Sequence, residues 1–200
     1  MALKCSAEKV ILEDLFYSYP AISFPCELSL TEKILTIHFT LKGKTDVEMI
    51  DLSDIVGCHV FRGKSKLKNE SEDSSAYICI YSYPLKTSAG ILSKQLRRER
   101  RVLTFQMRKF ETQNENLKVV NKWRRAILCL IRGISCIKED EIYIPDVCPH
   151  ARKFLILVNP RSGPGKACQI FKERVVPLLT ESDISYELLV TGKKNTFLMY

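Results

Sequence analysis

No apolar run in this sequence approaches the roughly 20 residues that span a bilayer as a helix, and no basic start followed by an apolar segment marks it for secretion. These absences set the expectation of a cytoplasmic chain. Paired cysteine motifs are missing too. Eight cysteines stand far apart, at Cys5, Cys26, Cys58, Cys79, Cys129, Cys136, Cys148 and Cys168, with no C-x-x-C, so they read as reduced, packed thiols. Cys148 with His150, and Cys58 with His59, are neighbouring ligand types, but neither has a second pair at metal spacing, so no metal site is expected. Repeats and low-complexity tracts are lacking, which excludes solenoids. Asn69-Glu70-Ser71 has the letters of a glycosylation sequon, but a chain that is not secreted does not meet the machinery.

What is present is ordinary globular composition, 46% hydrophobic and 27% charged, enough for one larger domain or two small ones in 200 residues. The net charge of +8 points to anionic partners, lipid headgroups or nucleotide phosphates, and no nucleic-acid partner is expected.

The first two thirds read as strands followed by a helix. Leu28 and Leu30 precede the polar turn Thr31-Glu32-Lys33, after which Leu35, Ile37, Phe39 and Leu41 alternate strictly, predicting a hairpin over residues 27–41 with one buried face. Further strands are predicted in 47–61, 76–83 and 102–110, the last with Leu103, Phe105 and Met107 on one face. The intervening stretches 62–75 and 86–101 read as charged loops. The second holds Lys94-Gln95-Leu96-Arg97-Arg98-Glu99-Arg100-Arg101, a cationic cluster suited to an anionic membrane surface and equally to nuclear import or solubility.

Residues 116–132 predict an amphipathic helix: Val120, Trp123, Ile127, Leu130 and Ile131 form one stripe, and Gly133 stops it. Several antiparallel strands capped by such a helix resemble the pleckstrin-homology (PH) plan, which implies either a lipid-binding domain or a scaffold. The same basic stripe matches what calmodulin clasps, unless its anchors already cover the sheet. Residues 136–151, with Lys138-Glu139-Asp140-Glu141, Pro145 and Pro149, read as a linker between a domain at 1–135 and a second at 152–200.

That second region opens on the continuous apolar run Phe154-Leu155-Ile156-Leu157-Val158, expected as a strand of a parallel sheet covered on both faces. Asn159-Pro160-Arg161-Ser162-Gly163-Pro164-Gly165-Lys166 then makes a bend, and a helix is expected over 167–179, where Ile170, Phe171, Val175 and Leu178 recur at helical spacing. A strand, a glycine bend and a helix start in this order aim backbone N–H groups and the positive helix end at one point, where phosphate binds well. The next strand, 184–190, ends in a second basic turn, Thr191-Gly192-Lys193-Lys194-Asn195. Walker A is excluded because Ala167 follows Gly165-Lys166 and the earlier glycine is absent; G-x-G-x-x-G fails at Cys168.

The run Leu155-Ile156-Leu157-Val158-Asn159-Pro160-Arg161-Ser162-Gly163-Pro164-Gly165-Lys166-Ala167, with Phe171, Val176-Pro177-Leu178-Leu179 and the second turn, resembles the opening of the diacylglycerol-kinase-type catalytic domain, and within that group the sphingosine kinases. The resemblance implies an α+β domain followed by the first β-α-β of an α/β nucleotide-binding domain. It implies ATP, with Mg²⁺, as cofactors of the complete enzyme and sphingosine as acceptor. It places nucleotide contacts at Asn159, Pro160, Arg161, Ser162, Gly163, Gly165, Lys166, Thr191, Gly192, Lys193, Lys194 and Asn195. The family's glycine-aspartate-glycine segment and catalytic aspartate have no counterpart here, and residues 196–200 depart from the pattern. The expectation is therefore a shortened form without catalytic residues. The competing expectation is a non-catalytic module that binds anionic lipid or a protein and visits membranes peripherally.

Overall fold

A computed structural model describes residues 8–20, 23–41, 43–63, 73–89, 94–148 and 153–191. The chain divides into two compact units, Met1–Cys148 and Pro149–Tyr200. The first is an antiparallel sheet with one long helix, an α+β arrangement. Its strands are β1 (Leu12–Tyr19), β2 (Pro25–Leu30), β3 (Ile34–Leu41), β4 (Lys44–Asp51), β5 (Ile55–Arg62), β6 (Ala76–Ser82), β7 (Leu85–Ala89), β8 (Lys94–Arg98) and β9 (Arg101–Met107), followed by α1 (Gln113–Ile131). Seven of them form one sheet in the order β4-β3-β2-β1-β9-β6-β5, while β7 and β8 pair as a separate hairpin. The sheet is strongly bent. Glu48 on the edge strand β4 holds Arg101 at the start of β9 through both guanidinium nitrogens, although three strands lie between them in the order.

The predicted 27–41 hairpin is β2 and β3, with Leu28 opposite Ile37 and Leu30 opposite Leu35, all buried. The 47–61 stretch is two strands, because Asp51 caps a tight turn at Leu52–Asp54 by accepting from Ser53 N at 2.8 Å. The Ser53 side chain, and then this backbone bond, lower the Asp51 carboxyl below the usual range. Part of the 86–101 stretch, read as a loop, is the β7–β8 hairpin. The 62–75 stretch lies largely outside the described residues.

Helix α1 starts at a threonine cap: the Thr112 hydroxyl accepts from Glu115 N at 3.3 Å and donates to the Glu115 carboxylate at 2.5 Å. It ends as expected at Gly133, whose φ of 74° lets its N–H reach Leu130 O while Ile134 N reaches Cys129 O, both at 2.9 Å. Trp123, Val120, Ala126 and Ile127 are fully buried against the sheet, and the indole meets Phe16 edge-on with centroids 5.4 Å apart. The buried indole N–H finds a partner in Asp14 at 2.8 Å. Asn116, also fully buried, donates to Ser74 O and Phe110 O and accepts from Phe110 N. After Gly133 the chain returns over the same core: Cys136 is buried, and Ile137, Ile144 and Cys148 pack against it, with short strands β10 (Ile137–Lys138) and β11 (Glu141–Ile142) between them.

The second unit is β12 (Phe154–Val158), a helical stretch from 167 to 181, and β13 (Tyr186–Val190), with the strands parallel as predicted. The helical stretch has three parts: α2 (Ala167–Ile170), one wide π turn (Phe171–Val175) and α3 (Val176–Glu181). The wide turn precedes Pro177, which so enters the first turn of α3, where its missing N–H leaves nothing unsatisfied. Asp183, at φ 53°, closes the helix: Ile184 N reaches Leu179 O at 3.0 Å. Among the described residues, those on one face of this sheet are covered. Val158, Phe171 and Leu179 are buried with Ile156, Tyr186 and Leu188 around them, whereas Leu155 and Leu157 remain 65% and 60% exposed. The expectation of a strand buried on both faces is not met, because one helical layer can cover one face.

Candidate functional site

The parallel register sets the site's geometry. Val158 pairs with Val190, and Thr191 N donates to Val158 O at 2.9 Å, so Asn159 and Thr191 leave the same carboxyl end of the sheet side by side. That is where α/β proteins place ligands. The first bend is held by its own bonds: Asn159 Oδ1 accepts from Arg161 N at 3.0 Å, Asn159 O from Ser162 N at 3.1 Å, and Ser162 O from Gly165 N at 3.2 Å. Gly163 and Gly165 have φ of 58° and 77°, a region that disfavours any side chain, yet a Cβ at either would meet nothing within 4 Å. Their requirement is conformational, and the space above them is open. Asn159 and residues 161–166 are exposed, and Pro160 is half-buried.

Lys166 caps the helical stretch without a side-chain bond, so its first N–H groups face the bend. With the Arg161 and Lys166 cations beside them, these groups fit phosphate oxygens. Thr191 is described; Gly192, Lys193, Lys194 and Asn195 lie outside the described residues. Mg²⁺ does not fit in the same way. Asp183 precedes β13 and Glu187 is its second residue, ion-paired to Lys153 at 2.5 Å, so both stand toward the amino end, away from the bend. Among the described residues no group of three His, Cys, Asp or Glu side chains could hold a metal ion. Cys58 is fully buried while its neighbour His59 meets Tyr81 on the opposite face of β5, so that pair cannot share a ligand. His150 lies outside the described residues.

In the first unit Arg98 and Arg101 of the cationic cluster are paired with carboxylates, and Lys86, on the neighbouring strand, takes up Glu99. Arg98 meets Asp54 at 2.5 Å, Lys86 meets Glu99 at 2.9 Å, and Arg101 is bound by Glu48. The Glu99 carboxyl is lowered chiefly by its bond to Lys86, and the Arg101 guanidinium is raised by Glu48. These local carboxylates weaken the field that a membrane would meet. An open cleft of about 470 Å³ is lined by Gly63, Asp73, Ser74, Glu111, Thr112, Gln113 and Asn114, whose acidic members repel anionic headgroups. The calmodulin anchors Trp123 and Ile127 are fully buried, so presenting them would unfold the domain.

No family model matches the chain. Human sphingosine kinase 2 is 32% identical over 95% of the chain, a match that spans 28% of that relative's length. Human sphingosine kinase 1 is 47% identical over 24% of the chain and 13% of its own length, and the rat protein of that name is 45% identical over 24% and 12%. Among solved structures, the hSac2 domain of human phosphoinositide phosphatase Sac2 superposes with a TM-score of 0.42 at 10% identity, over 65% of this chain and 74% of that one. The strand-bend-helix geometry and the match along almost the whole length lead to one conclusion: the chain is a sphingosine-kinase-related sequence, spanning a little over a quarter of sphingosine kinase 2.

Proposed function

We propose that the second unit carries the phosphate-binding opening of an ATP-dependent lipid kinase, of the diacylglycerol-kinase type, that converts sphingosine to sphingosine 1-phosphate. Asn159, Pro160, Arg161, Ser162, Gly163, Gly165 and Lys166, together with Thr191, Gly192, Lys193, Lys194 and Asn195, hold the ATP phosphates. The observation that carries this reading is the shared carboxyl end of β12 and β13, where two glycine-containing basic turns start next to each other. The turns bind and orient; neutralising phosphate charge is the larger part of phosphoryl-transfer catalysis. Among the described residues no group of three His, Cys, Asp or Glu side chains could hold a metal ion, and the nearest carboxylates, Asp183 and Glu187, stand toward the other end of the strands. The 200-residue polypeptide by itself is therefore a nucleotide-binding segment without kinase activity.

In this reading the PH-like domain placed at 1–135 also takes in residues 136–148 of the stretch read as a linker, since Cys136, Ile137, Ile144 and Cys148 pack on its core, and 152–200 is the start of the catalytic domain. A peripheral membrane role for the first unit is the weaker alternative, since Arg98, Lys86 and Arg101 are held by carboxylates.

The test is titration of the isotope-labelled chain with ATP, followed by amide NMR. The Gly163, Gly165 and Lys166 resonances are expected to move, and Gly163→Val, strained at φ 58°, is expected to abolish the shifts. Unmoved resonances, or shifts that survive the substitution, would overturn the assignment. Radiolabelled ATP with sphingosine should yield no product from the pure chain; product formation would refute the inactivity.

A further inference from the structure

Three cysteines converge where α1 ends. Cys129 sits in its last turn and is fully buried, Cys136 follows Gly133 and is fully buried, and Cys148, the last residue of the first unit, is half-buried. The reversal at Gly133 causes the convergence, since it returns residues 134–148 over the face that carries Cys129. Cys129 and Cys136 lie in one buried core, Cys148 packs against it, and Arg132 stands one helical turn after Cys129. Arg132 Nη1 donates to Cys148 Sγ at 3.1 Å. Packing alone does not call for an arginine on a cysteine sulfur, nor for a solvent-reachable thiol against a buried one.

We propose that Cys148 and Cys129 form an intramolecular disulfide when the protein meets a hydroperoxide, with Cys148 reacting first and Cys129 resolving. Cys148 is the thiol that solvent reaches, and the Arg132 guanidinium lies against it, the electropositive, partly exposed setting in which cysteines react. Its sulfur attacks one peroxide oxygen: the S–O bond forms, the O–O bond breaks, and the departing oxygen takes the thiol proton and leaves as water. Cys148 remains as a sulfenic acid. The Cys129 sulfur then attacks the Cys148 sulfur, the S–S bond forms, the S–O bond breaks, and the hydroxyl leaves as water with the Cys129 proton. Two thiols and one hydrogen peroxide give one disulfide and two waters.

Burial raises the Cys129 thiol, so the partly exposed Cys148 is the thiol that meets the peroxide first. Cys136 is directed elsewhere, with its Sγ 4.0 Å from Ala126 O. The bond would tie the last residue of the first unit to α1, so that residues 134–148 could not lift from the core.

Trypsin separates the three sulfurs, because residues 126–132, 133–138 and 139–152 each contain one cysteine. The folded 200-residue chain is treated with hydrogen peroxide, quenched, digested and analysed by mass spectrometry. Expected is a 126–132 to 139–152 cross-link that dithiothreitol reverses. It should persist in Cys136→Ser, and in that background it should form more slowly once Arg132→Gln is added, where the joined peptide 126–138 carries Cys129 as its one cysteine. In Cys129→Ser it should vanish, leaving a dimedone-reactive sulfenic acid on Cys148. Intact Trp123 fluorescence verifies the fold of each variant. A cross-link to 133–138, oxidation of Cys148 without any cross-link in the unsubstituted chain, no reaction at all, or an equal yield in denaturant would each overturn the proposal.

Discussion

The two units are built from similarly aliphatic strands and end up differently covered. In the first, the sheet bends and α1 closes its concave side, so that Phe16, Leu28, Leu30, Leu35, Ile78, Ile80, Met107, Val120, Trp123 and Ile127 are shielded in one contiguous core. In the second, Val158, Phe171 and Leu179 are the buried hydrophobic residues among those described, and Leu155 and Leu157 stand in the open. An apolar run reports that a strand wants cover on both faces; it does not supply the cover. A two-stranded sheet under one helix is marginal by itself, whereas seven strands and a helix satisfy the need for two packed layers.

The largest effect that would break this contrast is at Trp123. Replacing it by alanine removes a fully buried indole and strands Asp14, and should cost the first unit about 3–5 kcal/mol. Denaturant unfolding followed by circular dichroism measures that loss.

A smaller effect comes with pH. Burial, reinforced by contact with Cys148, raises the Cys129 thiol from its ordinary 9.0 to about 12. The folded state thus favours the protonated form. Its contribution is fully present below pH 9.0 and is lost as pH rises through the window up to about 12. The unfolding midpoint reported by Trp123, the only tryptophan, should fall across that window, and more shallowly in Cys129→Ala. An equally steep fall in the variant would assign the loss to other groups.

The smallest expected effect sharpens the contrast from the other side. Because Leu155 and Leu157 are exposed, changing both to threonine should alter the stability of the second unit by no more than about 0.5 kcal/mol while lowering binding of a hydrophobic dye. A loss of several kcal/mol would mean that this face is covered after all.

Some elements were plain from neighbouring residues. The alternation from Leu28 to Phe39 gives β2 and β3, Gly133 takes the left-handed conformation that ends α1, and the apolar run followed by Asn159-Pro160 and two glycines gives the strand and bend of the candidate site. Others were hidden. Strand β1 has Asp14 between Leu12 and Phe16 on its inner side, which interrupts the apolar signal, and its justification, the Trp123 indole, is 109 residues away. The β7–β8 hairpin looks like a charged loop because it is joined by its backbone ladder while its large apolar residues Leu85 and Leu96 stay exposed.

By itself, the order of residues determined what depends on the backbone and its immediate neighbours: strand periodicity, helix stops, the glycine bend and the family resemblance that its letters carry. Tertiary structure alone decided which apolar face is covered, which cations are already neutralised by carboxylates, and which of the scattered cysteines meet at the end of α1. Those outcomes depend on contacts between residues distant along the chain, and no local pattern encodes them.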